Sequence, residues 1–245
     1  MSKEKTNVFA IVPAAGIGAR FGSDKNKLFY SIAGKPVIIW SLELLQSMPQ
    51  ITEIIPVVKE EDLKLCAELI DQYGIRKVKR IVLGGKERQD SVYNGLKAVS
   101  DDNAIILIHD GGRPFADVDI MANAIREVEG CDCDGVVTAV PVKDTIKEAE
   151  LPDLDVGTMI VRRTLDRSVL YAVQTPQVFP FWVIMDAHEK AREGQFVGTD
   201  DASLVERRGG RVRIVAGSYR NIKITTPEDI FVAEALFRRN LKGPG

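Results

Sequence analysis

VFAIVPAAGIGARFGSDKNK, residues Val8–Lys27, decides how the rest of the chain is read. An apolar run, Val8 to Val12, ends in a loop of small residues carrying Gly16, Gly18 and Gly22. Side chains this small let backbone N–H groups approach a polyanion, and successive N–H groups in a tight turn form an anion-binding nest. Arg20 inside the loop and Lys27 beyond it add two cations, which points to phosphate chemistry. A plain strand-to-helix turn has the same glycine pattern, so the remaining segments must decide between the two.

Outward from that loop, strand and helix patterns alternate. Pro36 opens a helical segment to Met48, as proline does at a first helical position. Glu53–Val58 reads as a strand whose Pro56 marks a bulge or an edge. A helix over Glu60–Tyr73 stops at Gly74. The strand Arg80–Leu83 runs into Gly84-Gly85 and a helix over Glu87–Val99. Ala104–Ile108 is apolar throughout, like a strand buried on both faces of a parallel sheet. A helix follows over Asp117–Val128 with Asp117 as its cap, then a strand over Gly135–Val140. This rhythm predicts an α/β fold with a Rossmann-like, doubly wound, mostly parallel sheet. Such sheets bind ligands beyond the carboxyl ends of their strands, so the exits at Pro13, Gly84 and His109 should face one crevice.

The rhythm breaks at about 141–171, where polar stretches and alternating segments read as a projecting β-arm. An arm with so little apolar surface needs something to dock on, most simply a twin subunit, giving a homodimer. Gln174-Thr175-Pro176-Gln177 follows, then a helix around Phe181–Arg192. Thr199-Asp200-Asp201 caps a helix Ala202–Arg207. A strand Arg211–Val215, a short strand Asn221–Ile224 and a last helix Pro227–Arg239 complete a single domain of residues 1–245 with the arm as an insertion.

The 33 basic and 35 acidic residues nearly cancel, at a formal net charge of −2, which gives no global pull towards nucleic acid or membrane. No apolar run approaches the ~18–20 residues of a membrane span, and the polar MSKEKTN start lacks the apolar core of a secretory signal; a cytoplasmic location is expected. Cys66, Cys131 and Cys133 are expected to be reduced and structural. His109 reads as a positioning or packing residue rather than a base.

Four further clusters carry polar groups in telling places. GGKERQDS, Gly84–Ser91, follows a strand with two glycines and puts Ser91 on the next helix. HDGGRP, His109–Pro114, places Asp110 at a buried strand exit, a costly position unless the acid meets a cation or hydrogen-bond donors; Mg²⁺ with nucleotide phosphates is the usual client. The arm supplies Asp144-Thr145 and Arg163–Arg167, joined by Thr175. Asn221–Asp229, NIKITTPED, has Lys223 interrupting an apolar strand, a poor place for a solvated lysine.

VPAAGIGARFG, GGKERQDSV, HDGGRP, VKDTIK, LDR with QTPQ, TDDASLVE and NIKITTPEDI, in this order over roughly Val8–Leu236, resemble the 2-C-methyl-D-erythritol 4-phosphate cytidylyltransferase family. The resemblance implies transfer of CMP from CTP to that sugar phosphate, with release of pyrophosphate and a divalent cation such as Mg²⁺. It implies that Ala14, Ala15, Gly16, Gly85 and Ser91 hold CTP. Arg20 and Lys27 would stabilise the transition state at the α-phosphate. Asp110 would lie near the metal and ribose, with Arg113 nearby. Thr145, Arg167, Thr175 and Lys223 would hold the sugar phosphate, Arg167 reaching the site of a partner subunit. Two departures stand out. Asn26 and Leu28 flank Lys27 where the family usually has proline and glutamine, so a less rigid loop is expected. Gly111-Gly112 partly replaces the usual alanine.

A phosphomonoester is already an anionic nucleophile near neutral pH, so the chemistry asks for cations and alignment rather than a general base. Other readings make different demands. An alditol-phosphate cytidylyltransferase shares the fold and differs in the acceptor, and a non-catalytic nucleotide-binding module would leave the Arg167 and Lys223 set without a purpose. A nicotinamide-dependent dehydrogenase needs G-x-G-x-x-G, which Phe21 breaks, and a P-loop hydrolase needs a G-x-x-x-x-G-K-[ST] that the chain lacks.

Overall fold

In β1 (Val8–Pro13), side chains alternate between two cores: Val8, Ala10 and Val12 join one, Phe9 and Ile11 the other. That two-sided burial organises the computed structural model, which describes residues 6–16, 26–150 and 158–241. Arg20, Gly18 and Gly22 lie outside the described residues. The two-residue strands β2 (Ser31–Ile32) and β3 (Lys35–Pro36) form a small hairpin before α1 (Val37–Ser47). Pro36 therefore sits just before the helix, in the capping position. β4 (Ile51–Val58), α2 (Leu63–Gln72) and β5 (Val82–Leu83) follow, and Gly74, with φ +62°, ends the helical stretch in a left-handed turn. α3 (Arg88–Lys97), β6 (Ile105–Ile108), α4 (Val118–Gly130) and β7 (Gly135–Pro141) complete the first half. The Asp117 side chain accepts from the N–H groups of Asp119 and Ile120, the expected cap of α4.

The arm contains the antiparallel pair β8 (Lys147–Ala149) and β9 (Val161–Thr164). β10 (Tyr171–Pro180) then returns into the main sheet. α5 (Phe181–Glu193), α6 (Asp201–Arg207), β11 (Val212–Ala216) and α7 (Pro227–Leu241) end the described chain. Among the described residues the main sheet has seven strands in the order β11-β7-β10-β6-β1-β4-β5. β10 runs antiparallel to both neighbours, β6 and β7, and every other pairing is parallel. Helices α1, α2, α4 and α7 feed one core, and α3, α5 and α6 feed the other. No helix among the described residues is long and apolar enough to cross a membrane.

Three expectations are corrected. β4 is not an edge strand, because β1 and β5 flank it. Pro56 is tolerated there since its nitrogen has the same parity as Ile54, whose N–H bonds to Lys77 on the β5 side; β5 itself pairs only from Val57 onward. Asn221–Ile224 is an irregular loop rather than a strand. Cys131 and Cys133 are joined in a disulfide, not reduced: the extended backbone leaving α4 sets their Cα atoms 5.4 Å apart, within bonding reach. Cys66 is a buried thiol whose pKa burial pushes up to about 12.

Candidate active site

Parallel strands bring their carboxyl ends to one side, and the exits of β1, β5 and β6 open there into one crevice. At the first exit the Ala14 N–H bonds to the Val57 carbonyl at 2.7 Å, holding the small-residue loop against β4. Asn26, buried, closes the far side of that loop. Its amide donates to the Ala14 carbonyl at 2.9 Å and to Asp62 Oδ2 at 2.8 Å, and its oxygen accepts from Leu28 N–H. Lys27 follows as the first residue of a short 3-10 turn, Lys27–Phe29. Asn26 thus anchors that end of the loop by hydrogen bonds, while the looser path expected for residues 17–25 lies outside the described residues.

At the second exit, Gly84 N–H bonds to the Val58 carbonyl. A Cβ at Gly84 would collide with the Ala15 methyl and the Ser91 hydroxyl, so this glycine is needed for one loop to pack on another. Ser91 on α3 accepts from Gly85 N–H and donates to the Glu87 carbonyl, both at 3.1 Å. Ala14, Ala15, Gly16, Lys27, Gly85 and Ser91 all line this crevice.

At the third exit stands Asp110, 5% exposed. Its backbone N–H donates to the Thr175 hydroxyl on β10 at 3.0 Å. Three cations surround its carboxylate. Lys223 Nζ lies 2.8 Å from Oδ2, Arg88 Nε 3.2 Å from Oδ1 and Arg113 Nε 3.6 Å from Oδ2. Burial alone would raise the carboxyl pKa, but Arg88 and Lys223 outweigh it and hold the group well below the usual carboxylate range. His109, wholly buried, touches the Arg113 carbonyl through Nε2 and the Thr175 hydroxyl through Nδ1. Burial pushes its imidazole down to about 4, which suits a neutral positioning residue and not a base at neutral pH.

Lys223 owes its place to the loop that carries it. The Asn221 carbonyl accepts from Arg113 at 2.7 Å, the Asn221 amide donates to the Thr175 carbonyl, and Ile224 N–H bonds to the Gly112 carbonyl. A second chamber of about 320 Å³ adjoins the first, and Arg88, Asp110 and Lys223 line both. Arg113, Thr175 and Thr199 add polar groups to the second chamber.

Thr145 and Arg167 are not brought to the crevice within this chain. Both are exposed on the arm, and the Arg167 guanidinium donates to the Lys143 carbonyl at 2.7 Å. Arg162 and Arg163 pair with Glu148 across the hairpin, as expected for solvated arm residues. Sequence reasoning missed Arg88 and Asp201. Arg88 stands inside the GGKERQDS cluster but reads there as an ordinary first-turn cation; its meaning comes from Asp201, 113 residues away, at 2.8 Å.

The model of the IspD family, 2-C-methyl-D-erythritol 4-phosphate cytidylyltransferase, matches residues 8–239. Proteins bearing that name from Geotalea uraniireducens and Geobacter metallireducens are 45% and 44% identical to this chain. The alignments cover 94% of this chain and 97% of the first relative, and 96% and 99% for the second. The crystal structure of 4-diphosphocytidyl-2C-methyl-D-erythritol synthase from Anaerococcus prevotii superposes with a TM-score of 0.80 at 33% identity, covering 96% of this chain and 97% of that one. The cytidylyltransferase of Thermus thermophilus does so at 0.73 and 28% identity, over 94% and 98%.

Proposed function

The chain belongs to the 2-C-methyl-D-erythritol 4-phosphate cytidylyltransferase family, and from that premise we propose how its two chambers divide the work. The reaction is transfer of CMP from CTP to 2-C-methyl-D-erythritol 4-phosphate, a step of the non-mevalonate isoprenoid pathway. An oxygen of the acceptor phosphate attacks the α-phosphorus, a new P–O bond forms, and the bond to the bridging oxygen breaks as pyrophosphate leaves with its electron pair. In our reading CTP occupies the chamber walled by Ala14, Ala15, Gly16, Gly85 and Ser91, with Arg20 and Lys27 on its phosphates. The acceptor occupies the chamber of Arg113 and Thr175, with its phosphate at Lys223. The observation that carries this division is the shared boundary: Arg88, Asp110 and Lys223 line both chambers, where the two phosphates must meet.

Two anions approach each other in this reaction, so cations do most of the catalytic work. At ~4 Å and an effective dielectric of ~20, one unit charge is worth ~4 kcal/mol. Lys223, now paired with Asp110, would turn to the incoming phosphate while Arg88 and Arg113 keep the carboxylate compensated. Replacing Arg20 with alanine should lower kcat/KM by ~3–4 kcal/mol of transition-state stabilisation with the fold intact; unchanged turnover removes it from the mechanism.

The described residues do not fit a resident divalent cation. Three cations already engage Asp110, and no group of three or more His, Cys, Asp or Glu among the described residues could hold a metal ion. We therefore treat Mg²⁺ as part of the substrate, carried on the triphosphate oxygens.

We further propose that the chain acts as one catalytic unit, in the cytoplasm, and that its arm docks on a second copy. Ile160 is 71% and Val169 72% exposed, with Met159 and Val161 exposed beside Ile160, apolar surface that a second copy would cover. Docking would carry Thr145 and Arg167 to the partner's acceptor chamber. The function is tested by pyrophosphate release from CTP and Mg²⁺ with methylerythritol phosphate or ribitol 5-phosphate as acceptor. We expect release with the former; release with ribitol 5-phosphate alone overturns the acceptor assignment.

A further inference from the structure

A chain of polar contacts runs from α5, through α6 and α3, to the boundary between the chambers. His188 on α5 is fully buried, and its Nε2 lies 3.2 Å from Asp201 Oδ1. Its Nδ1 has no hydrogen-bond partner among the described residues, so the ring's single polar contact is the one with Asp201. Asp201, first residue of α6 and 1% exposed, turns its other oxygen to Arg88 Nη1 at 2.8 Å. Arg88, first residue of α3, reaches Asp110 Oδ1 through Nε at 3.2 Å, and Asp110 Oδ2 holds Lys223. Burial by itself would lower the Arg88 pKa, but Asp201 and Asp110 raise it, so the guanidinium stays charged between them.

The geometry of the guanidinium matters here. A planar fork can face two carboxylates at once through separate N–H groups, which an ammonium at the same place cannot do in a fixed orientation. An acid as deeply buried as Asp201 is costly unless paired, and nothing in the nucleotide chamber requires it. What the pair supplies is an anchor for Asp110. With Oδ1 fixed by Arg88, the carboxylate plane is set and Oδ2 faces Lys223.

We propose that Arg88, backed by Asp201 and His188, is a positioning residue that orients Asp110 so that Lys223 is presented to the acceptor phosphate. This rests on the reading that Lys223 holds that phosphate.

The test is a double-mutant cycle of Arg88→Lys and Lys223→Ala, read as acceptor KM, kcat and CTP affinity by calorimetry, with melting temperature as a check on folding. We expect Arg88→Lys to raise the acceptor KM about tenfold with CTP affinity little changed, a loss that largely disappears in the Lys223→Ala background. Asp201→Asn, which releases Arg88 on one side while keeping the side-chain shape, should show the same coupling and is scored alone if Arg88→Lys does not fold. An equal loss in both backgrounds, or wild-type kinetics in Arg88→Lys and Asp201→Asn, overturns the positioning role. If Lys223→Ala itself leaves acceptor handling unchanged, the assignment of Lys223 falls instead, and the two failures are told apart.

Discussion

Asn26 stands where the family usually has proline, and it restrains the chain by another physical route. Proline narrows the backbone torsion; Asn26 instead spends its amide on Ala14, Asp62 and Leu28, from a buried position where each bond excludes water. Asn26→Ala should destabilise the protein by about 1–3 kcal/mol, since it leaves buried groups unpaired, and should raise the KM for CTP. A lower urea midpoint with unchanged KM would separate the clamp from Lys27. His109 allows a test by pH. Its imidazole is held at about 4 against 6.5 in an unfolded chain. Between those values the unfolded chain takes up a proton that the folded protein refuses, so stability should fall as pH drops from 6.5 towards 4, by about 3 kcal/mol in all. His109→Gln should flatten that limb of a urea series; a limb of equal depth would place the proton uptake elsewhere. The crevice glycines and Asp110 were readable because small and polar residues at apolar strand exits are conspicuous; Lys223 was singled out from a strand reading that the structure replaces with a loop. Arg88 and Asp201 were not, because each has an innocent local reading, a first-turn cation and an acid beside a helix cap, and only the tertiary contact between them says otherwise.

Among the strands of the main sheet, β10 was the one the sequence hid. Its ten residues include Gln174, Thr175, Pro176 and Gln177, which break any apolar or alternating pattern. The strand is stable because its polar groups find partners: Gln177 donates to Asp200 and accepts from Ala202 N–H, while Gln174 donates to the Ser218 carbonyl. β1, β4, β6 and β7 announced themselves through near-continuous apolar runs that are buried, so a mostly parallel sheet could be anticipated, whereas the edge strands β5 and β11 are short or largely exposed. The loop carrying Lys223 was misread as a strand for the opposite reason, since its isoleucines alternate with polar residues although tertiary bonds to Arg113, Thr175 and Gly112 decide its path. The junction of β5 with α3 can be tested directly. Gly84→Ala places a methyl against Ala15 and Ser91, and we expect overpacking to cost about 1–3 kcal/mol, read as a lower melting temperature together with weaker CTP binding. Full stability in that variant would mean that the two loops part easily.

For the whole molecule, the decisive question is which crevice an arm serves. Arg167→Ala and Lys223→Ala should each turn over far more slowly than wild type, at a rate that can still be measured. If arms serve the partner, mixing and reassociating the two variants creates heterodimers with one intact site, and about a quarter of wild-type activity should return from a random mixture. If each arm serves its own crevice, every site keeps one lesion and nothing returns. β10 gives this arrangement a further consequence. It begins exposed at the base of the arm, at Tyr171–Val173, pairs with β7 as far as Gln174, and slips register at Thr175, whose hydroxyl holds the backbone of Asp110. Arm and crevice are thus two ends of one strand, and if Arg167 is supplied in trans, the enzyme's own concentration should enter its rate law. On that arrangement specific activity should fall on dilution below the dimer dissociation constant and recover on reconcentration, and a turnover number would be defined only at a stated protein concentration.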